Sequence, residues 1–303
     1  EVLGAAPTFM PNSQLTFGDI DNDGDPDLLV SGLLSSGYSI KLYENDGTGD
    51  FTELTGVSFT GGFHGSTTFV DIDGDNDLDL LFTGDVWGPS VEATILYKND
   101  GSGNFEEVLD TPFIGVNDSA AAFADVDNDG DLDLLISGET PNDPLVSLRV
   151  SILYINDGDG NFTESTENSF VNVQDSAVAF ADIDNDGDQD LLITGSPGNN
   201  AKTSRLYEND GAGIFTLISP IVLDGISHGL VRFVDIDNDS DVDLFIAEAR
   251  LTIALAKEIS KEIRSTFSYQ SVSDEEFKWC LDFMGLSLKS LRILSSKTFN
   301  PLF

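Results

Sequence analysis

The stretch Phe123 to Gly138, F-A-D-V-D-N-D-G-D-L-D-L-L-I-S-G, places aspartate at alternate positions, Asp125, Asp127, Asp129, Asp131 and Asp133, with Gly130 at the sixth place of the loop. Close copies begin at Phe17, Phe69, Phe180 and Phe233. They carry Asp19, Asp21, Asp23, Asp25 and Asp27; Asp71, Asp73, Asp75, Asp77 and Asp79; Asp182, Asp184, Asp186, Asp188 and Asp190; and Asp235, Asp237, Asp239, Asp241 and Asp243. Carboxylates crowded in this way repel one another unless a cation lies among them. Such a loop of hard oxygen donors suits calcium (Ca2+), which takes about six to eight oxygens, and a glycine permits the sharp turn around the ion.

The pattern D-x-D-x-D-G-x-x-D also opens an EF-hand, a reading that fails on two counts. An EF-hand closes with a bidentate Glu at the twelfth position and is flanked by helices. The twelfth positions here are Val30, Phe82, Ile136, Ile193 and Ile246, all apolar. Runs such as Leu134-Leu135-Ile136 are short, apolar and bounded by turn residues, the signature of buried strands. Each loop therefore joins two strands, and the ninth-place aspartate (Asp27, Asp79, Asp133, Asp190, Asp243) closes the site.

A second motif, L-Y-x-N-D-G-x-G-x-F, begins at Leu42, Leu96, Leu153 and Leu206, and its Asn-Asp-Gly reads as a hairpin turn. From the turn Asn to the next Phe is always 6 residues, and from that Phe to the Phe of the next loop always 18. Only the distance from the first loop Asp to the turn Asn varies, through 26, 28, 31 and 27 residues. The repeat thus runs strand a, aspartate loop, strand b, variable connection, strand c, turn, strand d. Four antiparallel strands at a period of 52 to 57 residues make a propeller blade.

These residues resemble FG-GAP/VCBS-type repeats, the propeller repeats of integrin α-subunits and of many secreted bacterial proteins. The expected fold is an all-β propeller domain over residues 1–250. Its blades lie near 17–68, 69–122, 123–179, 180–232 and 233–250, and the first and last are incomplete. The resemblance implies calcium loops that brace one face while ligands meet the opposite face. Residues 251–303 differ, with apolar spacing at Ile253, Ala256, Ile259 and Ile263 that reads as a partly helical, non-propeller tail. Since strands are missing at both ends, the sequence reads as part of a longer chain.

Charge and cysteine content narrow the function classes. The net charge of −40 is confined to residues 1–250, which hold 48 of the 54 acidic side chains and 7 of the 14 basic ones. Nucleic acid is excluded as a partner, because its phosphates require a basic surface. The single Cys280 forms no intramolecular disulfide, and no apolar run approaches the length of a membrane span. Numerous calcium loops point to an extracellular, secreted or cell-surface location, where calcium is millimolar.

The seventh-place aspartates are expected to give backbone oxygen, so that their side chains matter less. The repeat Phe and the Tyr of each Leu-Tyr pair are expected to pack in the core. His64 and His228 stand five residues before a repeat Phe, where the other copies have Asn12, Asp118 and Asp175. They read either as polar strand-start residues or as groups around a channel mouth that bind a ligand. On the variable b–c connections, taken as loops over Leu33 to Ser39, Asp85 to Glu92, Glu139 to Arg149 and Ser196 to Ser204, the binding candidates are Tyr38, Trp87, Arg149 and Lys202. No Ser, Cys or H-E-x-x-H constellation marks catalysis. The leading expectation is a non-enzymatic module for adhesion to, or recognition of, a protein or glycan. The alternatives are the propeller domain of a polysaccharide-acting enzyme such as a lyase, and a structural spacer of a larger surface protein.

Overall fold

Each apolar run that follows an aspartate loop forms the second strand of a sheet and is buried on both faces, as in Leu134, Leu135 and Ile136. The computed structural model describes residues 14–34, 37–60, 62–86, 91–143, 146–219, 223–235, 241–248 and 292–294. Four sheets have four strands in sequence order. The first contains β1 (Gln14–Gly18), β2 (Asp27–Leu34), β3 (Gly37–Asn45) and β4 (Phe51–Glu53). The second contains β5 (Gly62–Val70), β6 (Asp79–Val86), β7 (Val91–Asn99) and β8 (Phe105–Glu107). The third contains β9 (Asn117–Ala124), β10 (Asp133–Asp143), β11 (Val146–Asn156) and β12 (Phe162–Glu164). The fourth contains β13 (Gln174–Ala181), β14 (Asp190–Gly198), β15 (Ala201–Asn209) and β16 (Phe215–Leu217). The described residues contain no helix, and so none long and apolar enough to cross a membrane.

The chain packs as two compact units, Glu1–Gln174 and Asp175–Phe303. In the first unit, cores lie between successive sheets. Ile20, Leu29, Ile40 and Leu42 meet Leu80, Phe82 and Tyr97, and on the other side of the second sheet Val70, Ile72, Leu81 and Leu96 meet Leu134, Ile136 and Tyr154. In the second unit Leu192 and Leu206 meet Val231, Leu244 and Ile246 in the same manner. The Leu-Tyr tyrosines are buried as expected, and the Tyr97 and Tyr154 hydroxyls accept backbone N–H bonds from Thr60 and Ile114.

The repeat Phe follows the expectation in part. Phe69, Phe123 and Phe233 pack against the cores between their own sheet and the preceding one. Phe17 is 52% exposed, a correction to its assignment as core. Its sheet has no preceding sheet among the described residues to cover it.

The b–c connections also need correction. They are mostly paired strand: Leu33 faces Tyr38, Asp85 faces Glu92, Glu139 faces Arg149 and Gly195 faces Thr203. Added residues lengthen both arms of a hairpin and so keep their backbone groups hydrogen-bonded. The repeat with the 31-residue spacing accordingly has 11-residue strands β10 and β11.

The last sheet contains β17 (Gly229–Val234), β18 (Asp243–Glu248) and β19 (Arg292–Leu294), in that order. Strand β19 comes from the segment read as a non-propeller tail and pairs antiparallel with β18, so this sheet does not end at its second strand. The helical periodicity read over Ile253 to Ile263, together with Cys280 and Asn12, lies outside the described residues.

Candidate metal centre

The loop backbone winds around its own carboxylates. Asp125 Oδ1 accepts from the Asp129 N–H at 3.1 Å and its Oδ2 from the Gly130 N–H at 3.0 Å; Asp19 and Asp182 repeat this arrangement. Two residues of each such loop are left-handed, Asn128 at φ 61° and Gly130 at φ 100° in the third. In the second loop Gly74 and Asn76 take these conformations at φ 72° and 70°, so the exchanged Gly and Asn preserve the turn. Both residue types tolerate that region.

The ninth-place aspartate is buried and joins the loop to the c–d turn. Asp133 Oδ2 accepts from the Val126 N–H at 3.0 Å, and Oδ1 from the Asn156 N–H at 2.9 Å. Asp27, Asp79 and Asp190 bond the corresponding groups. Burial pushes the carboxyls of Asp79 and Asp133 up to about 6 and that of Asp190 up to about 7, against the lowering effect of those hydrogen bonds. Burial also raises Asp27, Asp127 and Asp184, with neighbouring loop carboxylates adding to the effect.

Of the five aspartates in each of the first four loops, the structure gathers the first, third and ninth. Asp19, Asp21 and Asp27 each offer an oxygen within 4.8 Å of the others, as do Asp71, Asp73 and Asp79; Asp125, Asp127 and Asp133; and Asp182, Asp184 and Asp190. The fifth-place residues Asp23, Asp75, Asp129 and Asp186 are exposed and accept the N–H of the seventh residue. The donor set fits a hard divalent cation, since it is all carboxylate oxygen. Asp73 Oδ1 and Asp127 Oδ1 are moreover buried without a hydrogen-bond partner. In the fifth loop Asp237 and Asp239 lie outside the described residues, while Asp235 is half-buried and Asp243 buried.

The seventh-place side chain matters more than its sequence position suggested. A Cβ on Gly47, Gly101, Gly158 or Gly211 would fall 2.2 to 2.5 Å from an oxygen of Asp25, Asp77, Asp131 or Asp188. The glycine of each Asn-Asp-Gly turn thus makes room for a carboxylate of the aspartate loop. Asn22 Nδ2 also donates to Asp77 Oδ1 at 2.7 Å, and Asn185 Nδ2 to Asp241 Oδ1 at 3.0 Å, so that successive loops are tied together.

Sequence reasoning passed over Lys98. Its Nζ donates to Asp73 Oδ2 at 2.7 Å and to the Asp159 carbonyl at 3.1 Å. The available signal was its place in Leu-Tyr-Lys-Asn, where the other repeats carry Glu44, Ile155 and Glu208.

The remaining candidates stand at the opposite end of the sheets. His64, Asp118, Asp175 and His228 all have positive φ, between 42° and 56°. They mark the start of strand a, where register shifts between Phe63 and Ser66 in the second sheet and between Ser137 and Glu139 in the third. His64 Nδ1 lies 3.3 Å from Asp85 Oδ2, and Asp85 Oδ1 accepts from Asn117 Nδ2 at 2.8 Å. In the second unit His228 Nε2 lies 2.8 Å from Asp175 Oδ1. Tyr38 is half-buried in β3, Arg149 half-buried in β11 and Lys202 exposed in β15, whereas Trp87 lies outside the described residues.

Among solved structures, the chain is similar to the crystal structure of the V. cholerae biofilm matrix protein Bap1, at 15% identity and a TM-score of 0.40 over 82% of this chain and 36% of that one. It therefore spans about a third of the length of Bap1. No curated protein sequence matches it. The family model for the FG-GAP-like repeat matches residues 19–82, 85–136, 147–193 and 184–246, each match taking in aspartate-loop residues and well over half of the chain being covered. The chain belongs to the FG-GAP-like repeat family.

Proposed function

We propose that this chain is an extracellular, calcium-braced β-propeller module that recognises a protein or glycan ligand and performs no catalysis. The observation that carries the reading is the recurrence, in four loops, of the same three converging carboxylates. The first-, third- and ninth-place aspartates of each loop hold the ion. Bound calcium supplies the positive charge that offsets their mutual repulsion. The ninth-place aspartate connects this event to the fold, because its oxygens also hold the backbone of the loop and of the c–d turn.

Ligand recognition is assigned to the other end of the sheets. In sheets of consecutive antiparallel strands, the a–b loops and c–d turns share one end, and the b–c hairpins and the starts of strand a share the other. The left-handed residues His64, Asp118, Asp175 and His228 stand at this second end, beside hairpins that differ in length from repeat to repeat. Backbone strain held at this register position in all four repeats where it is described supports a functional reading, since each such residue costs about 1–3 kcal/mol.

Thermal melting in chelator and in millimolar calcium tests the metal reading, and a marked fall on chelation is expected. Equal melting in both would remove the calcium assignment. A protein and glycan array probed with and without calcium then tests recognition. Once a ligand is found, replacing Tyr38 and Trp87 with Ala should weaken binding without moving the calcium-dependent melting.

A further inference from the structure

Lys98 places a positive charge on one of the second loop's own metal-site carboxylates. The bond to Asp73 Oδ2 is 2.7 Å, and the two side chains retain only 36% and 18% of their exposure. Asp73 belongs to the trio with Asp71 and Asp79. The seat is completed by the third repeat, where Asp159 accepts from the ammonium through its carbonyl. A Cβ on Gly160 would come within 3.1 Å of Nζ.

The second loop departs from its relatives at another point as well. Its fourth place is Gly74, where Asn22 and Asn185 tie their loops to the following one. Glycine has no side chain to make that bridge, and Lys98 spans the second and third repeats in its stead. The register position of Lys98 holds Glu in the first and fourth repeats and Ile in the third, so among the first four loops only the second receives a cation from this position of strand c.

We propose that Lys98 is a resident cation of the second aspartate loop, holding that loop together without metal and setting its calcium affinity below that of the loops at Asp19, Asp125 and Asp182. The proposal rests on the reading of the loops as calcium sites. An entering ion must either share Asp73 with the ammonium, against like-charge repulsion, or displace it and break a charge-assisted hydrogen bond. Either route costs the second loop affinity that the others keep.

The test is calcium titration calorimetry on the full chain after stripping with chelator, comparing the wild type with Lys98→Ile and Lys98→Gln. The wild type should bind calcium with one class weaker than that of the loops at Asp125 and Asp182. In each variant one site should tighten by about tenfold or more, given the size of a nearby unit charge. Adding Asp73→Asn to Lys98→Ile should abolish the gain. In chelator Lys98→Ile should melt below the wild type, while its rise in Tm with calcium should be larger; a lysine that only packs would lower both values. If Lys98→Ile does not fold, Lys98→Gln, which keeps a polar side chain of similar reach, carries the measurement. Calcium binding with unchanged affinities in the folded variants overturns the role of Lys98 alone. No calcium heat in any protein overturns the calcium reading and this proposal together.

Discussion

Asp133 joins loop, turn and titration in one side chain. Both of its oxygens accept backbone N–H bonds, from Val126 and Asn156, and burial still pushes its carboxyl up to about 6. Asp79 behaves alike at about 6, and Asp190 reaches about 7. Because the folded values lie above that of an unfolded aspartate, near 4, the native state keeps protons that the unfolded chain has released. The stability these groups contribute is therefore full below about pH 4 and is lost as pH rises through 6 to 7. Metal-free protein should lose melting temperature between pH 5 and 8, and the rise in Tm on adding calcium should grow over the same range as the ion replaces those protons. A chelated protein that melts higher at pH 8 than at pH 5 would contradict this. The turn glycines offer a second comparison. Gly158 has φ 84°, and a Cβ there would meet Asp131 Oδ2 at 2.4 Å, whereas Gly130 has φ 100° and open space around it. Both Ala variants bear the backbone cost of about 1 kcal/mol or more, and only Gly158→Ala adds a collision. Gly158→Ala should melt below Gly130→Ala; the reverse order would show that the contact with Asp131 is not tight.

The four-strand unit is locked to its predecessor through the Asn of the c–d turn. Asn156 Nδ2 donates to the carbonyls of Ile72, in the preceding loop, at 2.8 Å and of Leu132 at 3.2 Å, and Asn99 makes the same pair of bonds to Ile20 and Leu78. Among the described residues Asn45 bonds only Pro26 of its own loop by this route. Asn156→Ala should cost about 2 kcal/mol, since two bonds are lost and one of them is buried, and Asn45→Ala about 1 kcal/mol. Equal losses in denaturant unfolding would deny the tie between repeats. This tie explains why so much of the element was legible in the sequence. The turn must reach back to the preceding loop, so its spacing hardly varies, and alternating aspartates followed by Leu-Leu-Ile announce a loop and a buried strand together. The hairpins between strands b and c escaped because residues such as Glu139 and Arg149 are polar and half-buried, without the apolar alternation that marks a strand. Strand β19 escaped because it belongs to no repeat and pairs across a long interval of sequence. Within the candidate site, carboxylate identity was legible. The separation of first, third and ninth places from the fifth was not, because it depends on which loop N–H each oxygen accepts.

Across the whole molecule the dominant electrostatic fact is repulsion. Net charge is −40, and 48 of the 54 acids fall within residues 1–250, just over half of them in the aspartate loops. Chain collapse brings these charges together, and the compact state bears the self-repulsion more than an expanded chain does. Calcium bound as proposed would reduce it where it is densest. Dissolved salt reduces it everywhere, with a screening length of about 10 Å at 0.1 M. The two remedies differ in reach, since three carboxylates within 4.8 Å of one another lie well inside that screening length. Sodium chloride can thus relieve the repulsion between loops and across the exposed surface, but the close trio only weakly. The expected outcome is that, in chelator, raising sodium chloride from about 20 mM to about 500 mM lifts the melting temperature part of the way toward the calcium-loaded value. In millimolar calcium the same increase should change it much less. A chelated protein indifferent to salt would show that repulsion is not what limits it. Full recovery by sodium chloride alone would show that the loops need ionic strength and no particular ion.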